Sequence, residues 1–255
     1  MLKIKFIGTG SAKTSLKRNF TSLLFKTSSE NILIDCGEGT SKALIQQNVE
    51  LNSIDKIIIS HLHSDHFTGL AGLITNFKLD QRKKPIHLFT HQSNVPFIKN
   101  YLLSSLIIPE RMDFEILFKE FTENEEVNLS EDLKFVAKQN SHLDKYKIHK
   151  KNYSLPSASP TFLFIHYGKK IIYTSDIGSA DDLLLFSEPI DILICEISHI
   201  ELNQLIDLAK KLNPSEIYLI HIPDEKEKDI LEFLSSDSEA GKIVLTFDGL
   251  EVAVY

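Results

Sequence analysis

A short apolar run leads directly into the sequence His-Leu-His-Ser-Asp-His at positions 61–66, so four potential metal-binding side chains lie within six residues. His61 and His63 are two residues apart, and an extended segment therefore points both imidazoles to the same side. This spacing differs from the i, i+4 pair that a helix presents to a zinc ion. Asp65 and His66 stand where the chain is expected to turn into a helix. The motif therefore predicts a strand that ends at a metal site.

Imidazole and carboxylate ligands together suit zinc, with manganese or iron as alternatives. A catalytic metal ion that keeps one coordination position open does not usually take four ligands from a single segment. We therefore expect two divalent metal ions, roughly 3.5–4 Å apart as in other binuclear sites, that share a bridging hydroxide. A polar loop without metal is the alternative, and the density of histidine and aspartate argues against it.

The remaining ligands should come from distant parts of the chain, since the motif supplies only about two for each ion. Four polar residues follow apolar strand candidates: His142, Asp176, His199 and His221. In an α/β sheet the carboxyl ends of the strands are where the site lies. We therefore expect these side chains to meet the motif.

Short apolar runs alternate with helical patterns along the whole chain, which predicts an α/β fold. The strand candidates are Lys3–Ile7, Ser22–Thr27, Asn31–Asp35, Lys56–Ser60, Ile86–Phe89, Phe114–Phe118, Leu133–Lys138, Thr161–His166, Lys170–Thr174, Asp191–Cys195, Glu216–Ile220, Lys242–Thr246 and Leu250–Val254. The helix candidates are Thr40–Gln47, Thr68–Phe77, Val95–Ser105, Ile200–Lys211 and Glu225–Leu234. No repeat or linker divides the chain, so residues 1–255 are expected to form a single hydrolase domain with two face-to-face sheets.

The motif and the later polar positions resemble the metallo-β-lactamase fold superfamily over nearly the whole chain. The resemblance implies an αββα four-layer sandwich of two mixed β-sheets flanked by helices. It also implies that Asp176 bridges both metals and that Asp35 steadies the site from outside the ligand set, although an aspartate before glycine can also simply form a turn. The implied metal ligands are His61, His63, Asp65, His66, His142, Asp176 and His221.

The amino-terminal sequence Phe-Ile-Gly-Thr-Gly-Ser at positions 6–11 is similar to the ribonuclease Z-like and phosphodiesterase-like branch. An aspartate at position 176, rather than a cysteine, also favours this branch over the antibiotic-degrading one. The resemblance implies that His199 contacts the scissile phosphate, whereas the alternative is a surface histidine at the start of a helix. Glu196 is either a partner of His199 or an ordinary polar residue at a strand end.

Three features depart from ribonuclease Z. His199 is followed by Ile-Glu instead of Ser-Thr, no Gly/Pro-rich arm is present, and Ser175 stands where a glycine is usual. The formal net charge of −7 also disfavours a large polyanion, because nucleic-acid binding uses a positive surface. A small, anionic substrate is therefore favoured over nucleic acid. A homodimer is the assembly that would supply the missing arm.

These observations predict a binuclear metal-dependent hydrolase, with a metal-bridging hydroxide that attacks a small or cyclic nucleotide-like phosphodiester. Asp65 would pass a proton to the leaving oxygen, and His199 would stabilise negative charge. Two alternative enzymes are a lactonase or thioesterase acting on a carbonyl and a ribonuclease Z-like tRNA 3′-end endonuclease. A metal-binding protein without enzymatic activity is a further alternative.

The two cysteines, Cys36 and Cys195, lie inside apolar runs and are too few for a disulfide framework. We therefore expect inert core thiols and a cytoplasmic protein. No stretch has the length of a membrane span, and the amino terminus lacks the apolar run of a secretory signal. The basic run at positions 145–151, beside His142, is consistent with an anionic substrate.

Overall fold

Two sheets packed face to face form the centre of the structure, a computed structural model that describes residues 1–236 and 241–255. The first sheet contains, in spatial order, β14 (Glu251–Val254), β1 (Leu2–Gly8), β2 (Ser22–Lys26), β3 (Asn31–Ile34), β4 (Lys56–Ile59), β5 (Ile86–His91) and β6 (Ile116–Phe121). The second contains β13 (Ile243–Leu245), β12 (Glu216–Ile220), β11 (Ile192–Glu196), β10 (Lys169–Tyr173), β9 (Pro160–His166), β8 (Leu133–Gln139) and β7 (Glu126–Asn128).

Both sheets are mixed, with an antiparallel half and a parallel half. Strands β3 to β6 pair in parallel, as do β10 to β13, and the other neighbours are antiparallel. The carboxyl ends of the parallel strands therefore lie along one edge of each sheet. This is the arrangement in which polar residues that follow several different strands can meet.

Helices cover the outer face of each sheet. Their bounds are α1 (Thr40–Gln46), α2 (Ser64–Phe67), α3 (Leu70–Leu79), α4 (Val95–Ser104), α5 (Leu202–Leu212) and α6 (Glu227–Ser236). Apolar residues of α1, α3 and α4 pack against the first sheet, and those of α5 and α6 pack against the second. The result is the four-layer αββα sandwich that the resemblance predicted.

The layer between the sheets is rich in aromatic residues. Phe135 and Phe162 stack edge to face, with ring centroids 5.5 Å apart, and Phe25 meets Phe164 across the sheets at 4.9 Å. Burying one such side chain contributes about 1.5–3 kcal/mol, so this layer holds the sheets in a fixed relative position. Residues that reach the site from both sheets therefore stand on a rigid support.

Helix α5 shows how the local sequence sets an element. Leu205, Ala209 and Leu212 are buried at spacings of four and three, which form one face of a helix. Glu201 and Gln204 form a reciprocal capping box at the amino terminus, and Asn213 ends the helix in the left-handed conformation. The helix begins at Leu202, so His199 lies in the turn before it and does not open the helix as predicted.

The other element predictions hold to within a few residues, with three differences. Strand β6 begins at Ile116 rather than at residue 114, and the short strand β7 was not predicted. The helix expected from Thr68 is instead two helices, α2 and α3. They are separated because the Gly69 N–H donates to the carbonyl oxygen of Cys36, 2.9 Å away, which interrupts the helical hydrogen bonds.

Both cysteines are buried and free. Burial raises the pKa of the Cys36 thiol to about 12, which agrees with an inert core residue. Within the described ranges, every helix is too short or too polar to cross a bilayer.

Candidate metal centre

The six-residue motif begins directly after β4, at the edge of the first sheet. Asp65 and His66 lie in the single turn of α2, whose chain is fixed by the Cys36 N–H that donates to the His66 carbonyl oxygen at 2.7 Å. A Cβ atom on Gly37 would lie only 1.9 Å from the Asp65 carbonyl oxygen. The loop after β3 therefore packs against the motif so closely that only glycine fits there.

The first ligand set consists of His61, His63, His142 and Asp176, which can bring one ligand atom each to within 4.8 Å of one another. His63 Nδ1 lies 3.1 Å from His61 Nε2 and 3.0 Å from His142 Nε2. Burial lowers the pKa of His142 to about 3 and that of His61 well below its ordinary value. The imidazoles are therefore neutral, and their converging lone pairs suit a bound cation.

The second ligand set consists of Asp65, His66, Asp176 and His221, all of them buried, and its ligand atoms meet the same 4.8 Å limit. His66 Nε2 lies 3.2 Å from Asp176 Oδ1 and 3.4 Å from Asp65 Oδ2. Four inward-facing atoms make no hydrogen bond to any residue that the structure describes: Asp65 Oδ2, His66 Nε2, Asp176 Oδ1 and His221 Nε2.

A buried polar atom without a partner costs about 1–3 kcal/mol, so four of them at one point are unfavourable in a protein without ligand. One divalent cation would satisfy all four atoms at once. The donors are imidazole nitrogens and carboxylate oxygens, a combination that suits zinc. The residues present therefore fit a divalent metal.

Asp176 belongs to both sets and lies between them. Its Oδ2 is 3.7 Å from His142 Nε2 in the first set and 3.4 Å from His221 Nε2 in the second. Burial acts to raise the pKa of Asp176, but His221 and His66 outweigh it and hold the pKa well below its usual range. The carboxylate therefore stays charged between the two sets.

The Asp35 carboxylate holds the second set from behind. Its Oδ1 accepts from the Ser60 N–H at 2.8 Å, and its Oδ2 lies 2.8 Å from His66 Nδ1. The Tyr173 hydroxyl donates to the same Oδ2 at 2.6 Å. A proton on His66 Nδ1 leaves Nε2 free to face the ligand set, which is how such carboxylates orient a metal-binding histidine.

Three residues that hold the ligand residues from behind were not assigned a role from the sequence: Ser60, Tyr173 and Thr21. Thr21 Oγ1 donates to the Gly10 carbonyl oxygen at 2.8 Å and lies 3.1 Å from His221 Nδ1. Tyr173 is fully buried at the end of β10. A tyrosine at a buried strand position needs a partner for its hydroxyl, and that requirement was the available signal.

His199 lies beside both ligand sets. Its ring centroid is 4.9 Å from that of His142 and 5.9 Å from that of His221. Its Nδ1 is 3.1 Å from Glu196 Oε1, and Glu196 Oε2 accepts from the His199 N–H at 3.0 Å. The hydrogen bond with Glu196 raises the pKa of His199, and the side chain is one-third exposed. The structure therefore places Glu196 as the partner of His199.

The basic run reaches the centre through a short 3₁₀ helix, Asp144–His149. The Tyr146 ring stands edge-on to that of His63, with centroids 5.8 Å apart, and the Lys145 ammonium lies 5.4 Å from the centre of the Tyr146 ring. Burial is the main cause that lowers the pKa of His63, and Lys145 adds to it. Lys145 therefore contributes positive charge at the open side of the first set.

All seven residues predicted as ligands thus meet at one edge of the sandwich, with Asp35, His199 and Glu196 around them. The family model described as anti-Pycsar protein Apyc1 matches residues 2–242 of the chain. Ribonuclease Z of Pyrococcus furiosus is 28% identical over 235 residues, which covers 78% of this chain and 76% of the relative.

Two solved structures have the same fold. Human tRNase Z, short form, superposes with a TM-score of 0.75 at 22% identity and covers 99% of both chains. The metallo-β-lactamase fold protein YhfI from Bacillus subtilis gives a TM-score of 0.78 at 18% identity, over 99% of this chain and all of the other. These structures confirm the predicted fold class.

Proposed function

The chain belongs to the anti-Pycsar protein Apyc1 family and is a metal-dependent hydrolase of the metallo-β-lactamase fold, and we propose that its substrate is a small or cyclic nucleotide-like phosphodiester. The observation that carries this proposal is the position of His199 beside both ligand sets, with Glu196 bonded to its Nδ1. With Nδ1 directed to Glu196, the Nε2–H is the donor left for a substrate oxygen.

A phosphodiester suits this arrangement better than a carbonyl ester does. It carries two non-bridging oxygens that share negative charge, whereas an ester or lactone develops charge on one oxygen. The imidazole of His199, whose pKa is raised by the hydrogen bond with Glu196, supplies a donor for one more phosphoryl oxygen next to the ligand sets. Lys145 adds positive charge on the same side, which again favours an anionic substrate.

The two ligand sets are proposed to hold two divalent ions, most simply zinc, which when bound would activate water and neutralise developing charge. His61, His63 and His142 would serve one ion, His66, His221 and Asp65 the other, and Asp176 both. Each residue of a set offers one ligand atom, so with Asp65 Oδ2 at the ion, Asp65 Oδ1 is the atom proposed to hold a proton for the leaving oxygen. His199 would hold the phosphoryl group in place.

A tRNA 3′-end endonuclease is the second candidate, because relatives of this chain such as the Pyrococcus protein are ribonucleases Z. Two features favour the small substrate over it. The net charge is −7, and the basic contribution at the open side of the centre comes from one short turn that carries Lys145.

The experiment is hydrolysis of bis(p-nitrophenyl) phosphate by protein that is stripped of metal and reloaded with zinc or manganese. A p-nitrophenyl carboxylic ester and a 3′-extended precursor tRNA serve as competing substrates. We expect metal-dependent diester turnover, and His199→Ala should lower it by about 100-fold while the carboxylic ester reaction changes much less. The matched control is His87→Ala, a histidine on β5 outside both ligand sets.

Diester turnover at the full rate in His199→Ala would contradict the role of His199. A carboxylic ester that is hydrolysed faster than the diester would favour the carbonyl hydrolase. Efficient cleavage of precursor tRNA with little diester turnover would favour the endonuclease.

A further inference from the structure

A buried group of hydroxyls from the second sheet lies behind the metal centre. The hydroxyl of Tyr173, the last residue of β10, crosses to the first sheet and donates to Asp35 Oδ2 at 2.6 Å. Both residues have no solvent-exposed surface. The phenol is therefore fixed in the one orientation that satisfies its hydroxyl, since the surrounding layer between the sheets is apolar.

Ser175 adopts a backbone conformation that is unfavourable for serine. Its φ is 53°, in the left-handed region that favours glycine. The hydroxyl that the serine adds lies 3.4 Å from His61 Nδ1. Burial raises the pKa of Tyr173 well above its usual range, and Asp35 raises it further.

His61 needs an acceptor on the side that faces Ser175. Its Nε2 points into the first ligand set, 3.1 Å from His63 Nδ1, so its proton belongs on Nδ1. Two hydroxyl oxygens lie within reach of Nδ1, that of Ser60 at 3.2 Å and that of Ser175 at 3.4 Å. The Ser60 hydroxyl donates to Asp35 Oδ2, so its oxygen can accept from Nδ1, and the Ser175 hydroxyl oxygen has lone pairs that can accept as well.

These two hydroxyls reach one ligand of each set from its outer side. Ser175 Oγ lies 3.4 Å from His61 Nδ1, and the Tyr173 hydroxyl reaches His66 Nδ1 through Asp35. His61 belongs to the first set and His66 to the second. A shift of the Ser175 hydroxyl would therefore displace a ligand of the first set, and a shift of the Tyr173 hydroxyl would displace a ligand of the second.

We propose that Tyr173 and Ser175 are positioning residues, which hold Asp35 against His66 and the His61 ring toward the first set. Neither side chain is proposed to contact the substrate, because each acts through a ligand histidine. The inference rests on the proposed metal-binding role of the two sets, and does not depend on which ester is hydrolysed.

The test compares Tyr173→Phe and Ser175→Gly with two matched controls. Tyr218→Phe removes another hydroxyl of the same layer, one that donates to Glu216 at 2.7 Å. Asn213→Gly relieves a left-handed residue at φ 46°, at the end of α5. The readouts are zinc affinity, by competition with a chromogenic chelator, and the unfolding midpoint of the metal-free protein.

We expect each of the two test variants to bind zinc about tenfold more weakly, the lower limit for partners of ligand histidines. Ser175→Gly should at the same time keep or raise the unfolding midpoint of the metal-free protein, as Asn213→Gly does, because it relieves the backbone. Weaker metal binding in a protein that is no less stable separates positioning from a merely structural role. Both controls should bind zinc like the unaltered protein.

Zinc affinity equal to that of the unaltered protein in both test variants would overturn the inference, as would an unaltered protein that binds no zinc. A loss of affinity in Ser175→Gly accompanied by an equal loss of metal-free stability would also overturn it for Ser175. Failure to hydrolyse a phosphodiester would overturn the proposed function alone, since zinc affinity is measured without substrate.

Discussion

The two ligand sets differ in how they are enclosed, although they share Asp176. The first set has three imidazoles, and its open side carries His199, Tyr146 and Lys145. All four residues of the second set are buried, and Asp35 and Thr21 hold the set from behind. The first set is therefore the more accessible of the two, and the second is the more firmly anchored in the fold.

The same difference appears in the hydrogen bonds. In the first set His63 Nδ1 lies about 3 Å from a ring nitrogen of His61 and of His142. In the second set four buried ligand atoms have no hydrogen-bond partner among the described residues. An ion in the second set would remove several unfavourable contacts at once, so metal binding there should contribute more to stability.

The largest effect should follow from Asp176→Ala, because both sets lose a ligand. We expect diester turnover to fall by more than about 100-fold, beyond the range seen for outer partners of ligands. Metal content by elemental analysis should fall together with activity. The control is Asp132→Ala, which removes a buried aspartate that pairs with His166 outside the centre. Retention of the full metal content in Asp176→Ala would remove the basis for a shared ligand.

His142→Ala and His221→Ala each remove one imidazole from one set, and so compare the sets directly. Each should weaken zinc binding in its own set by at least about tenfold. His221→Ala should also lower the unfolding midpoint of the zinc-loaded protein more than His142→Ala does, because Asp65 and His66 are then left buried without an ion. Equal losses of stability, measured by thermal unfolding in excess zinc, would show that the two sets do not differ in this way.

Asp35→Asn should have a smaller effect, since Asp35 acts through His66. Its hydrogen bonds to Ser60, His66 and Tyr173 lose a charged acceptor, and we expect zinc in the second set to bind about 10-fold to 100-fold more weakly. The first set should be less affected. Zinc titration with a competing chelator resolves the two sites, and an affinity loss confined to the first set would contradict the geometry.

The smallest effect is expected for Lys145→Met, which removes charge but keeps most of the apolar stem. A partly exposed charge contributes about 0.2–1 kcal/mol, so KM for the diester should rise by no more than about fivefold. Turnover at saturation should not change, because Lys145 is not proposed to act on the reacting atoms. Lys147→Met, a change on the same 3₁₀ turn, is the control. A large fall in kcat would give Lys145 a catalytic role.

Much of this centre was predictable from the sequence because the signals are local. The histidines and aspartates each follow an apolar strand, and the carboxyl ends of parallel strands meet at one edge of a sheet. The break between α2 and α3 was not predictable, because it depends on the approach of Gly69 to the loop after β3, which only the tertiary structure shows. Strand β7 was missed because Glu126–Asn128 is short and polar at both ends.

The residues behind the centre were missed for a similar reason. In the sequence Tyr173 looks like any other aromatic residue of a buried strand, because its hydrogen-bond partner, Asp35, lies on the opposite sheet. In the sequence Ser175 stood out only as a departure from glycine. The structure shows that its hydroxyl lies beside His61 Nδ1, where it can accept a hydrogen bond. Contacts between sheets depend on how the sheets pack, which the pattern of either strand alone does not contain.

A zinc titration of the metal-stripped protein shows whether two ligand sets that share Asp176 hold two metal ions. We expect about two zinc ions per chain, bound in two phases, with Asp176→Ala weakening both phases and His142→Ala weakening only that of the first set. A single zinc ion per chain whose affinity is unchanged by His142→Ala, or no zinc at all, would contradict this expectation.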